Sequence, residues 1–231
     1  MGKKSWTIFF KKKITMFKSI ELIIFDCDGV LVDSEPLANS LFARLCREHG
    51  FHLSDEEAME QFPGSRFASC VAYVEQKHGR QMPGDFVLTY RQALSEAFAS
   101  HLEPIPGVRE ILPSIQRPKA VASNGPKEKM VDNLITCRIY HHFQQDHIFS
   151  AYDIQKWKPE PDLFLTASAH LGAAPATCLV VEDSQPGVQA ALAAGMQVVG
   201  FTHGGRNKKL YNLGVPLIDQ MTELKGILVK G

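Results

Sequence analysis

The sequence lacks an excess of charge of either sign. Its 231 residues include 25 Lys and Arg against 25 Asp and Glu, so the formal net charge at pH 7 is zero. Proteins that bind nucleic acid or anionic membrane usually carry a basic field that attracts these polyanions. We therefore expect neither nucleic acid nor a membrane as a partner, and any substrate must be recognised by local chemistry.

Cysteine is sparse, and no two cysteines have C-x-x-C spacing. The five cysteines are Cys27, Cys46, Cys70, Cys137 and Cys178. An odd and scattered set argues against a disulfide framework and against a structural zinc site. We expect five buried thiols in a protein of the reducing cytoplasm.

Long apolar runs are also absent. No segment approaches the roughly 18 apolar residues that a membrane-spanning helix needs. Residues 1–20 surround a short apolar patch, residues 6–10, with lysines, but they lack the longer apolar region and the small-residue cleavage site of a secretory signal. We expect this stretch to be a disordered or dispensable extension, and a weak membrane-surface anchor is the alternative.

The sequence does contain an alternation of short apolar runs and helical segments. The apolar runs are rich in β-branched residues, which is typical of strands buried on both faces of a parallel sheet. They cover residues 21–25, 119–122, 178–181 and 197–201. The helical segments cover residues 107–115, 127–135, 162–171 and 186–194. This alternation predicts an α/β fold with a doubly wound, Rossmann-like parallel sheet.

Residues 34–100 interrupt the alternation, because they carry helical patterns without a convincing strand. A leucine stripe runs from Leu37 to Leu45 at every fourth residue, and Ser54 with Glu57 has the spacing of a capping box. The predicted organisation is a core at residues 21–33 and 104–231, with an inserted all-α domain at residues 34–103.

Polar residues collect where the predicted strands end. Asp26, Ser123 and Asp183 each follow an apolar run. In open α/β sheets, ligands bind outside the carboxyl ends of the strands, so we expect these side chains in one crevice, together with Lys158. Carboxylates brought together repel one another unless a divalent cation lies among them, and oxygen ligands favour Mg²⁺. A Mg²⁺ site that also holds a lysine and a serine is suited to a phosphate.

Four motifs at these strand ends carry a family resemblance. Residues 26–34, with the sequence DCDGVLVDS, resemble the D-x-D-G-x-[LV]-x-D-[ST] signature of phosphatases of the haloacid dehalogenase superfamily. Residues 123–125, 158–161 and 182–184 are similar to the second, third and fourth motifs of that superfamily, in the same order. The resemblance extends over residues 21–205.

The position of the helical insertion narrows the resemblance. An insertion directly after the first motif is similar to the cap of the β-phosphoglucomutase, sugar phosphatase and phosphonatase branch. Within that branch the chain is most similar to the sugar-phosphate and 6-phosphogluconate phosphatases. The resemblance implies a Mg²⁺-dependent phosphatase that acts on a small phosphorylated metabolite, such as a sugar phosphate or a sugar-acid phosphate.

Asp26 and Asp28 are the candidate catalytic carboxylates. A carboxylate that attacks phosphorus splits hydrolysis into the formation and the breakdown of an aspartyl phosphate, and this role fits Asp26. A second carboxylate, two residues further on, can protonate the leaving oxygen and later deprotonate the attacking water, and this role fits Asp28. Taken alone, an Asp at a strand end is more often a turn residue or a helix cap.

The resemblance assigns the remaining motif residues to the metal and the phosphate. The expected metal ligands are Asp26, Asp28 through its backbone carbonyl, Asp183, and Glu182 either directly or through water. The expected phosphate-binding and catalytic partners are Ser123, Asn124 and Lys158, and Lys158 would also contact Asp26. Arg66 lies in a segment that resembles the substrate-facing loop of the cap, where its planar fork would bind the remote end of the substrate. The alternative is an exposed surface arginine.

Several alternatives are weighed against hydrolysis. A haloacid dehalogenase lacks the second aspartate of the pair, so Asp28 argues against that activity. A β-phosphoglucomutase-type mutase shares the core motifs but carries a histidine near the position of Ala38. Because this chain has an alanine there, hydrolysis is favoured. A phosphonatase would need a lysine that the first predicted cap helix lacks. A non-catalytic module that binds a phosphometabolite needs neither a nucleophile nor an acid, so Asp26 and Asp28 argue against it. We also expect a monomer.

Overall fold

The structure is a computed structural model that describes residues 17–62, 67–205 and 207–228. These residues form a six-stranded sheet in which all neighbouring strands are parallel. The strands are β1 (Leu22–Phe25), β2 (Lys119–Ser123), β3 (Ile148–Ser150), β4 (Cys178–Glu182), β5 (Gln197–Phe201) and β6 (Leu217–Ile218). Their order is β3-β2-β1-β4-β5-β6, so the chain winds outward from β1 in both directions. The predicted doubly wound α/β fold is confirmed.

The described residues also form ten α-helices, of which some cover the sheet and four form a separate layer. They are α1 (Ser34–Glu48), α2 (Asp55–Gln61), α3 (Phe67–His78), α4 (Phe86–His101), α5 (Val108–Ile111), α6 (Lys127–Thr136), α7 (Ala151–Ile154), α8 (Asp162–His170), α9 (Gln185–Ala193) and α10 (Leu224–Leu228). The four predicted strands correspond to β1, β2, β4 and β5, and the predicted helical segments overlap α5, α6, α8 and α9, with the ends of α6 and α9 differing by one residue. The edge strands β3 and β6 were not predicted, because three and two residues are too few to display a periodic pattern.

The central strand β1 explains the continuous apolar runs. Ile23 and Phe25 lie in one hydrophobic cluster, whereas Leu22 and Ile24 lie in the cluster on the opposite face of the sheet. Successive side chains of a strand point to opposite faces, so a strand covered by helices on both faces must be apolar at every position. All four residues of β1 are fully buried.

The four helices α1 to α4 form a helical insertion between β1 and α5, with a hydrophobic cluster of their own. Phe42 lies at the centre of this cluster and makes edge-to-face contacts with four aromatic rings, those of Phe62, Phe67, Phe86 and Tyr90. Leu41 and Leu45 of the predicted stripe are buried in the same cluster. Ser54 accepts a hydrogen bond of 3.0 Å from the backbone N–H of Glu57, as expected for a helix cap.

The chain enters and leaves the helical insertion through two adjacent segments. The backbone N–H of Asp33 donates to the carbonyl of Glu103 over 2.9 Å, and the N–H of Ile105 donates to the carbonyl of Leu31 over 3.1 Å. These two bonds join the connections side by side. They anchor the insertion immediately beyond the end of β1.

The amino-terminal residues of the described chain contact the core. Phe17 packs against the cluster around Phe25, and Ile20 is buried in it. The first sixteen residues of the predicted dispensable extension lie outside the described residues. All five cysteines are free and buried, as predicted. None of the described helices combines the length and the apolar character that a bilayer-spanning segment needs.

Candidate active site

Three strand ends bring the predicted polar residues together. Phe25 of β1 is in register with Val121 of β2 and Val181 of β4. The residues that follow these positions therefore lie at the same edge of the sheet. Asp26 and Asp183 are buried there, and Ser123 is buried at the end of β2. These three residues lie at the carboxyl edge of the sheet, where the sequence predicts the crevice.

Lys158 bridges two carboxylates in this crevice. Its Nζ atom lies 2.5 Å from Oδ1 of Asp26 and 2.7 Å from Oε1 of Glu182. Lys158 is only 3% exposed and Glu182 is 0% exposed, so water screens these ion pairs little. The backbone N–H of Lys158 donates to Oδ1 of Asn124 over 2.9 Å, which fixes the segment that carries the lysine.

Burial dominates the protonation of these groups. It raises the pKa of the Asp26 carboxyl well above its usual range, and the carboxylates of Glu182 and Asp183 act in the same direction, while Lys158 opposes them. Burial alone would lower the pKa of Lys158, but the attraction of Asp26 and Glu182 outweighs it and raises that pKa. Three buried carboxylates thus lie around one buried lysine. A further positive charge would therefore stabilise the cluster.

Asp28 contacts a residue that sequence reasoning missed. Its Oδ2 atom lies 2.9 Å from Nζ of Lys129, near the start of α6. Its Oδ1 atom is buried and has no hydrogen-bond partner among the described residues. The sequence did carry one signal for Lys129. A cation in the first turn of a helix interacts unfavourably with the helix dipole, so a lysine there predicts a nearby anion that offsets this cost.

Gly29 allows the backbone after Asp28 to approach Asp183. Its φ of +80° lies in the left-handed region, and a Cβ atom built on it would overlap Oδ2 of Asp183. The Asp28–Gly29 loop and the Asp183 carboxylate therefore form a close-fitting group. Gly187 likewise allows a close approach, because a Cβ atom there would overlap the carboxylate of Glu182.

Asp183 is held from several directions. Its Oδ2 atom lies 3.1 Å from Nε2 of His203, and the side-chain amide of Asn207 donates to its backbone carbonyl. Burial raises the pKa of Asp183 well above its usual range, and the carboxylates of Glu182 and Glu35 add to the effect. Sequence reasoning did not find His203 or Asn207, which follow β5 and carry no motif.

Glu182 and Ser184 complete the turn at the end of β4. Oε2 of Glu182 accepts a hydrogen bond of 2.6 Å from the backbone N–H of Ser184. The Ser184 hydroxyl accepts one of 3.1 Å from the N–H of Gly187 and so caps α9. Both carboxylate oxygens of Glu182 thus have partners, because Lys158 contacts the other one.

The donor set at this edge of the sheet suits a magnesium ion. Within the described ranges, no three acidic, histidine or cysteine side chains converge as a ready-made metal cage. Mg²⁺ does not require one, because it keeps several waters and usually takes only one or two carboxylates plus oxygens of a phosphate. The buried carboxylates of Asp26, Glu182 and Asp183 fit a hard cation. Arg66, the predicted contact to the remote end of the substrate, lies outside the described residues.

Comparison with known proteins identifies the class of this crevice. Residues 23–201 match the family described as haloacid dehalogenase-like hydrolase. The acidic, lysine-containing site at the carboxyl edge of the sheet is therefore that of a hydrolase. The chain belongs to this family, and the predicted resemblance is confirmed. It is 34% identical over 206 residues to the 6-phosphogluconate phosphatase of Escherichia coli strain K12, covering 89% of this chain and 93% of that protein.

Two solved structures support the same conclusion. A haloacid dehalogenase-like protein of unknown function from Agrobacterium tumefaciens superimposes with a TM-score of 0.82 at 32% identity, over 91% of this chain and 98% of that one. A family hydrolase from Deinococcus radiodurans, with bound phosphate and sodium, has a TM-score of 0.78 at 28% identity, over 91% of this chain and 96% of that one. The prediction of an enzyme of the phosphatase class is confirmed.

Proposed function

We propose that this chain hydrolyses the phosphate monoester of a small sugar or sugar acid, with Mg²⁺, through an aspartyl phosphate on Asp26. The observation that carries the proposal is the arrangement around Asp26, whose Oδ1 atom is 2.5 Å from the buried Lys158, with a second aspartate two residues further on. A carboxylate fixed by a cation and followed by an acid-base group is suited to nucleophilic phosphoryl transfer. The name and 34% identity of the Escherichia coli relative support the substrate class.

In the first step, a carboxylate oxygen of Asp26 bonds to phosphorus and the bond from phosphorus to the leaving oxygen breaks. Asp28 donates a proton to that oxygen, so the product leaves as an alcohol. In the second step, Asp28 takes a proton from water, and the water oxygen bonds to phosphorus. The bond to Asp26 then breaks, which releases inorganic phosphate and restores the carboxylate.

Lys158, Ser123 and Asn124 support this chemistry from the phosphate side. Lys158 remains a cation throughout and offsets charge on the transferring oxygens. The Ser123 hydroxyl, which accepts a hydrogen bond of 3.2 Å from the N–H of Gly125, can donate its own hydrogen to a phosphoryl oxygen. Asn124 acts by holding the Lys158 backbone in place.

The carboxylates of Asp26 and Asp183 would hold Mg²⁺, together with the backbone carbonyl of Asp28. Glu182 would contribute through water, since Lys158 and Ser184 already contact its two oxygens. When bound, the ion neutralises charge on the transferring phosphoryl group. The proximity of the Asp28–Gly29 loop to Asp183 supports this ligand set.

The helical insertion, residues 34–103, is proposed to act as a cap that excludes bulk water from the bound substrate. Its two connections leave the core beside the first motif, and its helix α4 faces α6 of the core. The mutase alternative receives no support at Ala38, a partly buried α1 residue whose carbonyl accepts a hydrogen bond of 3.4 Å from Tyr90.

We further propose that the protein works as a monomer in the cytoplasm. Five buried free cysteines support a reducing compartment. Light scattering coupled to size-exclusion chromatography gives the mass in solution, and a dimer at micromolar concentration would contradict the monomer.

The test of the proposed function is turnover of acetyl phosphate and p-nitrophenyl phosphate with Mg²⁺, abolished by a chelator. Asp26→Asn keeps the shape of the side chain and removes the nucleophile, so turnover should fall by several orders of magnitude. The matched control is Asp85→Asn, at an exposed position in the helical insertion without a side-chain capping bond. An Asp26→Asn enzyme with near wild-type turnover would exclude the nucleophile assignment, and a wild-type protein that only binds phosphate would favour the non-catalytic module.

A further inference from the structure

The two aspartates of the first motif are each paired with a lysine from elsewhere in the chain. Lys158 contacts the proposed nucleophile Asp26 over 2.5 Å in the interior, where its side chain is 3% exposed. Lys129 contacts the proposed acid-base group Asp28 over 2.9 Å, and these two side chains are 40% and 33% exposed. The second pair is thus accessible, as it must be for a group that exchanges protons with a leaving oxygen and with water.

The backbone of Asp28 is fixed by the tight loop that contains it. The carbonyl of Cys27 accepts hydrogen bonds from the N–H groups of Leu31 and Val32 over 2.9 and 3.1 Å. The N–H of Gly29 donates to the carbonyl of Val32 over 2.9 Å. These bonds fix the position of the Asp28 Cα atom, but they leave the side chain free to rotate about its own bonds.

A single contact sets the direction of the Asp28 carboxylate. Among the residues that the structure describes, Lys129 is the only one that donates a hydrogen bond to it, from Nζ to Oδ2. A side chain without such a contact distributes itself over its staggered rotamers. Lys129 therefore selects one of the rotamers of Asp28.

The ammonium of Lys129 is itself held between the core and the helical insertion. Lys129 is the third residue of α6, and its Nζ atom lies 5.6 Å from the ring centroid of Phe98 on α4. The face of an aromatic ring attracts a cation at this distance. Phe98 is buried, so its ring is a fixed surface. The carboxylate on one element and the ring on another together define where the ammonium lies.

The charge of Lys129 complements the charge that Asp28 gains in the first step of the proposed reaction. When Asp28 gives its proton to the leaving oxygen it becomes a carboxylate, and an ammonium 2.9 Å away stabilises that negative charge. This stabilisation matters most when the leaving oxygen needs a proton. An alkoxide needs one, whereas p-nitrophenolate is stable enough to leave as an anion.

We propose that Lys129 is the positioning residue of the general acid. It directs the Asp28 carboxyl group toward the leaving oxygen and stabilises the carboxylate that proton transfer produces. The inference rests on the proposed function and adds a residue that lies outside the four sequence motifs. A partly exposed ion pair contributes little to stability, so variants of Lys129 should fold. If the pair only tied the loop to α6, its loss would affect all substrates alike.

The experiment compares phenyl phosphate with p-nitrophenyl phosphate, which differ only in the nitro group and hence in how strongly the leaving oxygen needs a proton. The parameter is kcat/KM, which covers the steps up to departure of the leaving group and excludes the later attack of water. Lys129→Met should lower kcat/KM for phenyl phosphate about ten-fold more than for p-nitrophenyl phosphate. Lys129→Gln, which keeps a hydrogen-bond donor and loses the charge, should change the ratio of the two values in the same direction. Circular dichroism checks that both variants are folded.

Lys127→Met is the matched control, because Lys127 lies in the same turn of α6 and its side chain makes no hydrogen bond or ion pair with the described residues. Its ratio should equal that of the wild type. In an Asp28→Asn background, Lys129→Met should change the ratio no further, because the group that Lys129 positions is gone.

Equal losses on both substrates in the Lys129 variants, or an undiminished effect in the Asp28→Asn background, would overturn the inference. Turnover of p-nitrophenyl phosphate by the wild type with Mg²⁺ separates the two levels. If the wild type turns it over and the ratio does not respond to Lys129, only the role of this lysine is wrong. If turnover is absent, the proposed function fails and the inference with it.

Discussion

Lys158 holds Asp26 and Glu182 together in the interior, with its Nζ atom 2.5 Å from one carboxylate and 2.7 Å from the other. Asp26 precedes this lysine by 132 residues, and Glu182 follows it by 24. The contact therefore joins β1, β4 and the segment before α8 into one unit. In a buried cluster of this kind, removing one partner leaves an uncompensated charge.

Lys158→Met should therefore be strongly destabilising. Methionine fills similar space without charge, so Asp26 and Glu182 would face each other without a cation. We expect a loss of about 3 to 5 kcal/mol in the free energy of unfolding, which corresponds to a fall of roughly 10 °C in Tm for a chain of this size. Urea unfolding followed by circular dichroism measures it. Lys77→Met, at the more exposed pair with Glu57, should cost about 1 kcal/mol or less, and equal losses in the two variants would contradict the account.

The sequence was informative where a local pattern carries the information. Short apolar runs placed the four longest strands, and the rule that strand ends meet at one edge brought Asp26, Ser123 and Asp183 together. Lys158 was placed beside Asp26 because its motif resembles one of a known family. In both cases the signal lies within a few consecutive residues.

The contacts that were missed depend on tertiary geometry. Asp28 and Lys129 are 101 residues apart, and the basic first turn of α6 does not specify which anion pairs with Lys129. His203 reaches Asp183 from the loop after β5, where its φ of +53° orients the backbone. The unpartnered amide of Asn133 is likewise visible only once α6 is packed, since its own helix predicts no more than a buried polar residue.

Asp183→Asn should weaken Mg²⁺ binding. The change removes one negative charge from the predicted ligand set and leaves the contact surface of the side chain nearly unchanged. We expect at least a ten-fold higher Kd for Mg²⁺, measured by isothermal titration calorimetry without substrate, and a parallel loss of turnover. Asp153→Asn, at an exposed position of α7, is the control. Unchanged Mg²⁺ affinity in Asp183→Asn would remove this residue from the ligand set.

The cysteines should be inert toward alkylating reagents in the native protein. All five are buried, and burial raises the pKa of Cys46 and Cys137 to about 12 and of Cys70 and Cys178 to about 11. Thiolate is the reactive form, so iodoacetamide at pH 8 should label none of them within minutes. All five should react in 6 M guanidinium chloride, as counted by mass spectrometry. Rapid labelling of any one cysteine in the native state would indicate a local opening near that residue.

Gly29 and Gly172 offer a matched pair for testing the approach of the first motif to Asp183. Both glycines have positive φ, +80° and +67°, so alanine imposes a similar backbone penalty of roughly 1 to 2 kcal/mol at each position. Only at Gly29 does the added Cβ meet another group, the Asp183 carboxylate, whereas at Gly172 nothing lies within 4 Å. Gly29→Ala must therefore displace either the Asp28–Gly29 loop or Asp183, and both carry proposed Mg²⁺ ligands.

We expect a fall in kcat/KM of at least a hundred-fold and a higher Kd for Mg²⁺ in Gly29→Ala, while Gly172→Ala loses stability alone. Measuring Tm, Mg²⁺ affinity and acetyl phosphate turnover on both variants separates the two effects. Equal turnover in the two variants would mean that the close contact between Gly29 and Asp183 has no part in catalysis.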